Sequence, residues 1–333
     1  MKLGMRVLAL TNMYPTPKAP SLGTFVELEV KSLEQEGIEV DVLFINGVRN
    51  QLSYLWAFPR FWARLLTRKY DLIHAHYVFT GLVARAQFGY PVVLTHHGAE
   101  VFQTWQAPLS RAMNRVVDRI IVRTAEMKEK MGWADAYIVP AGVDFDMFKP
   151  MSKQLLRKEL GLPLTKKLVL YAGEYWRPEK RYDIVQQAFP LLKQEVPDAE
   201  LVLVTKQPLS TVPKYMNACD AIVLVSDAEG SPNVIKEAMA CNLPIVSVPA
   251  GDVQSIIGDT SGCYFCSQEP ADVAEKLRLA LSFGKRTNGR DRLNQLALSL
   301  PEIARKIIGI YEDVLREKRP AASSGPPLSR KSL

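Results

Sequence analysis

The sequence has few cysteines and histidines, the residues that form the disulfides of small folds and bind metals. It has four cysteines and four histidines among 333 residues, and the cysteines Cys219, Cys241, Cys263 and Cys266 are scattered. Scattered thiols argue against a disulfide framework and fit a reducing compartment. Cys263 and Cys266 form one Cys-x-x-Cys pair without the second pair that a structural zinc site needs. We therefore expect no disulfides and no metal site.

Long apolar runs are also missing. No stretch approaches the ~20 apolar residues that a membrane-spanning helix requires. The N-terminal residues MKLGMRVLALTNMYP are too short and polar for a signal peptide, so we expect a cytoplasmic protein. The GxGxxG pattern is absent, which removes the argument for NAD. The net charge of +7 indicates an anionic partner, either nucleotide phosphates or an acidic membrane surface, and no nucleic-acid motif is present.

Apolar, β-branched runs alternate with helical patterns along the whole chain. Residues 5–11 and 38–45 read as strands, and the FVELEVKSLEQEG pattern between them reads as a helix. Further strands are predicted at DLIHAH, PVVLTHH and DRIIVRT, each followed by a helix or a turn. This alternation predicts an α/β fold with parallel sheets.

The stretch AIVLVSDAEGSPNVIKEAMACNLPIVSVPAG, residues 221–251, predicts a strand, a turn, a helix and a second strand. Ser231 is the expected N-cap, with Pro232 at the first helical position. The helix is predicted over residues 233–241, and Asn242 is a plausible left-handed residue after its end. This order places the start of the helix beyond the carboxyl end of a buried strand.

Such a helix start suits a phosphate group, because its first amide groups have no partner within the helix and carry partial positive charge. Glu229 precedes the helix and Glu237 lies inside it. With a nucleotide-diphosphate sugar at the helix start, Glu229 would reach sugar hydroxyls and Glu237 ribose hydroxyls. The alternative is that Glu229 caps a turn and Glu237 is a solvated helix residue.

The string EGSPNVIKEAMACNLPIVSVPAGDV resembles the donor-site motif of glycosyltransferase family 4, the retaining enzymes of GT-B fold. Glu229, Gly230, Pro232, Glu237 and Gly251 match that motif. The resemblance implies two Rossmann-like domains that face each other across a central cleft. It also implies metal-independent transfer of a hexosyl or N-acetylhexosaminyl group from a UDP- or GDP-sugar, with no cofactor. The implied acceptor is a cell-surface polysaccharide or lipid-linked glycan of a bacterial envelope.

The resemblance further implies a cationic clamp on the diphosphate, built from a Gly-Arg pair and a lysine a few residues later. Gly173 and Lys180 match, but Glu174 stands in the arginine position. Arg177 is the expected substitute, because a guanidinium binds phosphate bidentately; the alternative is a solvated loop charge. The amides of the segment Ser231–Val234, which includes Asn233, complete the implied diphosphate site.

Three of the four histidines lie at the ends of predicted strands. His97, which precedes Gly98, matches the histidine that the family places near the donor sugar, and Glu100 stands where the family commonly has Asp. We expect His74 and His76 to be structural, because their surroundings lack the carboxylates of a metal site.

Gly23 lies in a proline-rich loop that resembles the family's glycine loop between acceptor and donor; the alternative is a plain turn.

YIVPAGVDFDMFKP resembles the family's hinge, and the usual strand and helix after AELVLVT are missing, which indicates a trimmed second domain. The expected units are an acceptor-binding domain at 1–150, a donor-binding domain at 151–298, a returning helix at 299–319 and a disordered tail at 320–333.

The segment YLWAFPRFWARLLTRKYD, residues 54–71, predicts a helix with an apolar face and basic flanks. The apolar positions are Leu55, Phe58, Trp62, Leu65 and Leu66, and the basic ones are Arg60, Arg64, Arg68 and Lys69. One interpretation is an interfacial helix on anionic lipid at the inner face of the plasma membrane. The other is a helix that packs on the sheet with solvated arginines.

Two other functions remain open. Glu229 and Glu237 would serve a glycoside hydrolase if they straddled one bond at about 5–9 Å. Glu174 and the trimmed second domain would suit a non-catalytic relative that acts as an assembly subunit. In the favoured glycosyltransferase, Lys180 and Arg177 stabilise the leaving diphosphate, while Glu229 and His97 lie at the donor sugar.

Overall fold

The computed structural model describes residues 4–47, 50, 52–102 and 105–318. Within this part of the chain the strands are β1 (Arg6–Thr11), β2 (Glu39–Phe44), β3 (Leu72–His76), β4 (Val92–Thr95), β5 (Arg119–Val122), β6 (Tyr137–Ile138), β7 (Lys167–Ala172), β8 (Ala199–Val204), β9 (Ala221–Leu224), β10 (Ile245–Ser247) and β11 (Cys263–Phe265).

The helices alternate with these strands. They are α1 (Thr24–Gln35), α2 (Ser53–Thr67), α3 (Val78–Ala84), α4 (Ala99–Phe102), α5 (Ala107–Met113), α6 (Ala125–Met131), α7 (Lys153–Glu159), α8 (Tyr182–Glu195), α9 (Val212–Ala218), α10 (Asn233–Ala240), α11 (Val253–Ile257), α12 (Pro270–Ser282), α13 (Gly289–Gln295) and α14 (Leu300–Lys318). None of these helices is both long enough and apolar enough to cross a membrane.

All strand pairs in the two sheets are parallel, which confirms the predicted α/β class. The first sheet has the order β2-β1-β3-β4-β5-β6, and the second has the order β11-β10-β9-β7-β8. The chain reverses direction across each sheet after its first two strands, so the switch points lie between β1 and β3 and between β7 and β9. Ligands of open parallel sheets bind beyond the carboxyl ends of the strands at such points.

The apolar content of the strands explains their place in the core. Residues Val7–Leu10 of β1 and Ala221–Val223 of β9 are almost fully buried, as expected for central strands covered on both faces. The last helix, α14, packs on α1, where Arg305 pairs with Glu36 at 3.0 Å. Its side chain Tyr311 is fully buried and belongs to the same apolar cluster as Val7.

The sequence patterns missed several short elements. Helices α5, α9 and α13 and strand β11 were not predicted, because three to seven residues carry too little periodicity to separate a helix or strand from a loop. The four cysteines are free, as expected. The expected tail, residues 320–333, lies outside the described residues, and so does Arg319 at the expected end of the last helix.

Candidate active site

The loops that follow the central strands of both sheets meet at one place. His97 and Gly98 follow β4, and Gly230 lies in the loop after β9. A Cβ atom added to Gly230 would lie 2.9 Å from the carbonyl oxygen of His97, and one added to Gly98 would lie 3.5 Å from the Cα of Gly230. The two halves of the chain are therefore in backbone contact here, and only glycine leaves room for it at position 230.

A cavity of about 170 Å³ opens beside this contact, at the carboxyl ends of β7 and β9. It is lined by Tyr171, Ala172, Gly173, Lys180, Val223, Leu224, Glu229, Pro232, Asn233 and Val234. The cavity thus brings together six residues that the sequence assigned to the donor site, from two segments about fifty residues apart. Gly23, Arg177, Gly230, Ser231 and Glu237 are not among its lining residues.

The charged centre of the cavity is an ion pair between Lys180 and Glu229. Their Nζ and Oε1 atoms lie 2.7 Å apart, and the side chains are 23% and 13% exposed. Lys180 ends a 3-10 turn at Pro178–Lys180, and its carbonyl oxygen accepts a hydrogen bond from the hydroxyl of Tyr171 at 3.3 Å. Because both partners remain in contact with solvent, a charged ligand can reach either of them.

Helix α10 begins at Asn233, as predicted, and ends at Ala240, one residue earlier than predicted. Pro232 occupies the cap position without a side-chain capping bond, so the prediction that Ser231 caps the helix is wrong. The hydroxyl of Ser231 instead accepts a hydrogen bond from Nζ of Lys236 at 2.9 Å. Asn233 and Val234, whose amides belong to the orphan donors of a helix start, are among the residues that line the cavity.

Lys236 was missed by the sequence analysis. It is fully buried, and its ammonium group also donates to the carbonyl oxygen of Ala141 at 2.8 Å, in the segment between the two sheets. Burial lowers the pKa of Lys236 to about 8. A lysine inside an amphipathic helix pattern normally indicates a solvated position, so the sequence offered no signal for this bond between the halves.

Glu237 lies one helical turn after Asn233 on α10 and is partly exposed. Burial raises the pKa of Glu237 to about 7. Glu229 and Glu237 therefore stand on either side of the start of α10, as the motif indicated, but in different states. Glu229 is paired with a lysine, whereas Glu237 lies in surroundings that favour its neutral form.

The expected arginine substitute does not lie in the cavity. Arg177 is exposed and its guanidinium contacts Glu174 at 3.0 Å and Glu179 at 2.5 Å. Two carboxylates therefore compete with any phosphate for this guanidinium, which corrects the simple prediction that Arg177 replaces the missing arginine. The same pairing offsets only part of the negative charge at Glu174, because one guanidinium is shared by two carboxylates.

Gly23 has a positional requirement that a plain turn would not impose. Its φ angle is +66°, and a Cβ atom there would lie 2.3 Å from the carbonyl carbon of Met13. The loop after β1 therefore folds back directly onto the start of α1. Asn12 in this loop donates to the hydroxyl of Tyr54 at 3.0 Å, which connects the loop with α2.

Three buried side chains, Glu29, His74 and His76, place their potential metal ligands within 4.8 Å of one another. They do not fit a metal site. Both ring nitrogens of His74 already have partners, the hydroxyls of Tyr311 at 2.6 Å and Thr95 at 2.7 Å. Glu29 pairs with a guanidinium, that of Arg123, at 3.0 Å, and a cation would have to bind beside this positive charge.

Comparisons with known proteins agree with this geometry. The sequence profile of Glycosyltransferase Family 4 matches residues 1–147, and that of Glycosyl transferases group 1 matches residues 205–282. TuaC of Bacillus subtilis, named as a glycosyltransferase of teichuronic acid biosynthesis, is 26% identical over 326 residues, which covers 76% of this chain and 83% of TuaC. A D-inositol 3-phosphate glycosyltransferase of Geodermatophilus obscurus is 24% identical and covers 78% of this chain and 70% of its own length.

Solved structures show the same fold. Sucrose-phosphate synthase from Thermosynechococcus elongatus superimposes with a TM-score of 0.73 at 18% identity, over 94% of this chain and 100% of the other. Anabaena HepE, solved in complex with UDP-glucose, gives a TM-score of 0.70 at 17% identity, over 93% and 100%. The first profile covers all strands of the first sheet, the second covers β9, β10 and β11 of the second sheet, and the structures match nearly the whole chain. The chain is therefore a glycosyltransferase of family 4 with the GT-B fold.

Proposed function

We propose that this chain transfers a hexosyl or N-acetylhexosaminyl group from a UDP- or GDP-sugar to a glycan of the bacterial cell surface, with retention of the anomeric configuration. The observation that carries the proposal is the cavity in which Lys180, Glu229 and the first residues of α10 converge. Support for the acceptor comes from the name of TuaC, which refers to teichuronic acid. HepE, solved with UDP-glucose, supports the donor class.

In the proposed reaction the donor's diphosphate lies against the amides of Asn233 and Val234 and the ammonium of Lys180. Charge develops on the diphosphate as the glycosidic bond breaks, and fixed positive groups lower that barrier. Lys180 then exchanges its contact with Glu229 for one with phosphate. Glu229 is thereby released to accept hydrogen bonds from hydroxyls of the sugar, and Glu237 accepts those of the ribose. No step requires a metal, so we expect transfer to persist in EDTA.

The proposed domains are residues 1–150 for the acceptor and 151–298 for the donor, with 299–319 returning to the first. Arg290 of the second half binds the segment that connects the last strand of the first sheet, β6, with α7. Its guanidinium donates to the carbonyl oxygens of Phe148 at 2.7 Å and Phe145 at 3.0 Å. Both acceptors are backbone carbonyl oxygens, which do not depend on the identity of these two side chains.

Donor binding is tested by a thermal-shift screen of the full chain with UDP-, GDP- and ADP-sugars. We expect one nucleotide class to raise the melting temperature, and Lys180→Ala to abolish that rise. A chain that binds no nucleotide sugar would instead be the non-catalytic assembly subunit. Cleavage of nitrophenyl glycosides without a nucleotide would support a hydrolase. The anomeric configuration of the product, read by NMR, tests retention.

We also propose that α2 binds the anionic inner face of the plasma membrane. The helix packs on the sheet through Ala57 and Phe61, which are fully buried. Much of the apolar face identified in the sequence points outward: Leu55 is 66% exposed and Leu66 is 82% exposed, as is Trp56 at 72%. The interpretation that this apolar face packs on the sheet is therefore wrong for most of its residues.

Basic residues accompany the exposed face. Arg60 and Lys69 are exposed, while Arg68 and Arg64 contact Asp41 at 2.8 Å and 3.9 Å. Beside α2 lies a groove of about 660 Å³ lined in part by Phe58, Leu82, Phe88 and Val116, with Arg85 and Arg115 at the same groove. Exposed aromatic side chains next to arginines suit the interface of an anionic bilayer.

Co-sedimentation with vesicles tests this surface. We expect binding to vesicles of anionic lipid at low salt and weaker binding to zwitterionic vesicles. The double variant Trp56→Ser, Leu66→Ser should lose most of the binding. Leu164→Ser, which changes an exposed leucine of the second half, is the matched control. Equal binding by both variants, or no binding by the unaltered chain, would contradict the proposal that α2 binds the membrane.

A further inference from the structure

Four side chains, with His97 among them, form a ring of contacts in the first half of the chain. Arg123 Nε lies 3.4 Å from His97 Nδ1, and His97 Nε2 lies 3.2 Å from His76 Nδ1. His76 Nε2 faces Glu29 Oε1 at 3.8 Å, and Glu29 Oε2 accepts from Arg123 Nη2 at 3.0 Å. The four residues come from α1, from the end of β3, and from the residues that follow β4 and β5.

The chemistry of arginine sets the direction of every hydrogen bond in this ring. A guanidinium only donates, so Nδ1 of His97 must accept and its proton must lie on Nε2. His97 Nε2–H then donates to Nδ1 of His76, which places the proton of His76 on Nε2, toward Glu29. Within the described part of the chain, the oxygen Oε1 of Glu29 has no hydrogen-bond partner and lies 3.8 Å from Nε2 of His76, so it is open toward this proton.

The ring is balanced in charge, and three of its members, Glu29, His76 and Arg123, are buried while His97 is partly exposed. The side chains of Arg123 and Glu29 are 3% and 6% exposed, and they are its one cation and one anion. Burial lowers the pKa of His76 to about 3, with the charge of Arg123 adding to the effect. Burial likewise lowers the pKa of His97 well below its usual value. Both imidazoles are therefore neutral, and each has a single tautomer that satisfies its neighbours.

Other contacts hold the plane of the His97 ring without changing its tautomer. Tyr77 stacks on it with ring centroids 4.5 Å apart, and Phe25 of α1 lies at 5.0 Å. The backbone amide of His97 donates to Oε1 of Glu100 at 2.9 Å. Both ring nitrogens are thus engaged within the protein, and neither is free to take a proton from a substrate.

We propose that Arg123 and Glu29 are positioning residues that hold His97 as its Nε2–H tautomer and thereby fix the His97–Gly98 backbone against Gly230 at the donor site. His97 acts through its fixed main chain rather than as an acid or base. The catalytic consequence rests on the proposed function, whereas the tautomer does not. The two parts can therefore fail separately.

The tautomer is measured by long-range proton–nitrogen NMR on the full chain labelled at histidine, which has only four histidines to assign. Variants His97→Asn and His76→Asn identify two of the signals. We expect the Nε2–H pattern for both residues at neutral pH. An Nδ1–H pattern or a protonated ring at His97 would overturn the proposal.

Arg123→Lys separates charge from geometry. A lysine ammonium is a compact point charge that can still pair with Glu29, but it lacks the planar fork that reaches His97 at the same time. We expect His97 to become a mixture of tautomers while the melting temperature stays near that of the unaltered chain. Arg119→Lys is the matched control, because Arg119 begins β5, the strand that Arg123 follows, and pairs with Glu317 outside the ring. An unchanged His97 signal in Arg123→Lys would overturn the proposal.

Transfer assays give the second readout. We expect kcat to fall about tenfold in Arg123→Lys, because small displacements of positioned groups cost rate, while KM for the donor changes less than kcat. If the ring were only structural, kcat would follow the melting temperature and stay unchanged. A changed tautomer with unchanged kcat would refute the positioning role and leave the proposed sugar transfer intact.

Discussion

Two cation–carboxylate pairs lie on opposite sides of the cleft and differ in their access to solvent. Lys180 and Glu229 belong to the second half and are 23% and 13% exposed, whereas Arg123 and Glu29 belong to the first half and are 3% and 6% exposed. An accessible pair can exchange one partner for a charged ligand. A sealed pair cannot, because breaking it leaves an uncompensated buried charge. The Lys180–Glu229 pair therefore suits binding of a charged ligand, and the Arg123–Glu29 pair suits orientation of a neighbouring side chain.

The strongest way to test this contrast is to remove one partner from each pair. Glu29→Ala should lower the free energy of unfolding by about 3–5 kcal/mol, because it leaves the guanidinium of Arg123 buried without its counterion. Glu229→Ala should change it by less than about 1 kcal/mol, since Lys180 is free to turn to water. Denaturant unfolding of both variants measures the difference. Equal losses would mean that burial does not distinguish the pairs.

For activity we expect the opposite order, with the larger loss when the accessible pair is broken. Lys180→Ala should lower kcat/KM by about 10²–10³-fold, the usual cost of removing one group that stabilises developing charge. Its fold should be retained, as judged by the unfolding midpoint. Lys193→Ala, which removes an exposed lysine of α8, serves as the control and should keep full activity. Near-normal turnover by Lys180→Ala would exclude this lysine from the diphosphate site.

The contact between the two sides can be disturbed directly. Gly230→Ala adds a Cβ atom 2.9 Å from the carbonyl oxygen of His97, so one backbone must shift. We expect the transfer rate to fall about tenfold. Gly309→Ala is the control, because a Cβ atom there meets nothing within 4 Å and a helical glycine gains about 0.5–1 kcal/mol on replacement by alanine. Equal rates for both variants would contradict a required contact at Gly230.

The smallest expected effect concerns pH. Because burial raises the pKa of Glu237 to about 7, this carboxyl gains a proton as the pH falls from 8 to 6. The neutral form is a weaker acceptor for ribose hydroxyls, so KM for the donor should rise a few-fold over this range. Glu237→Gln should show a higher KM at pH 8 and a flatter profile. A KM for the unaltered chain that is independent of pH would argue against Glu237 at the ribose.

The part of the cavity that follows β9 was predictable because its residues lie close together in the sequence. Glu229, Pro232 and Asn233 are neighbours in one motif, and the order of strand, turn and helix fixes where the motif lies relative to the sheet. The error at Ser231 is local in origin. A serine before a proline is a favoured cap, but the buried ammonium of Lys236 supplies a stronger partner for its hydroxyl.

Helix α2 shows what the hydrophobic periodicity of a sequence cannot predict. The pattern revealed an apolar face and arginines but could not say which face the sheet would cover. The side of α2 that carries Ala57 and Phe61 packs against the sheet. Leu55 and Leu66 remain exposed to solvent. A helix with apolar residues on most of its circumference has several faces to bury, and only its neighbours select one.

What the sequence by itself determined is therefore the alternation of parallel strands and helices and the motif around Glu229, since both depend on residues near one another in the chain. Only the tertiary structure decided the pairing of Glu29 with Arg123, which are 94 positions apart, and the engagement of Arg177 by Glu174 and Glu179. A charged residue in a strand or helix pattern looks the same whether its partner is water or a distant counterion. Folding of the whole chain chooses between them, because a charge enters the interior only where its partner is already placed.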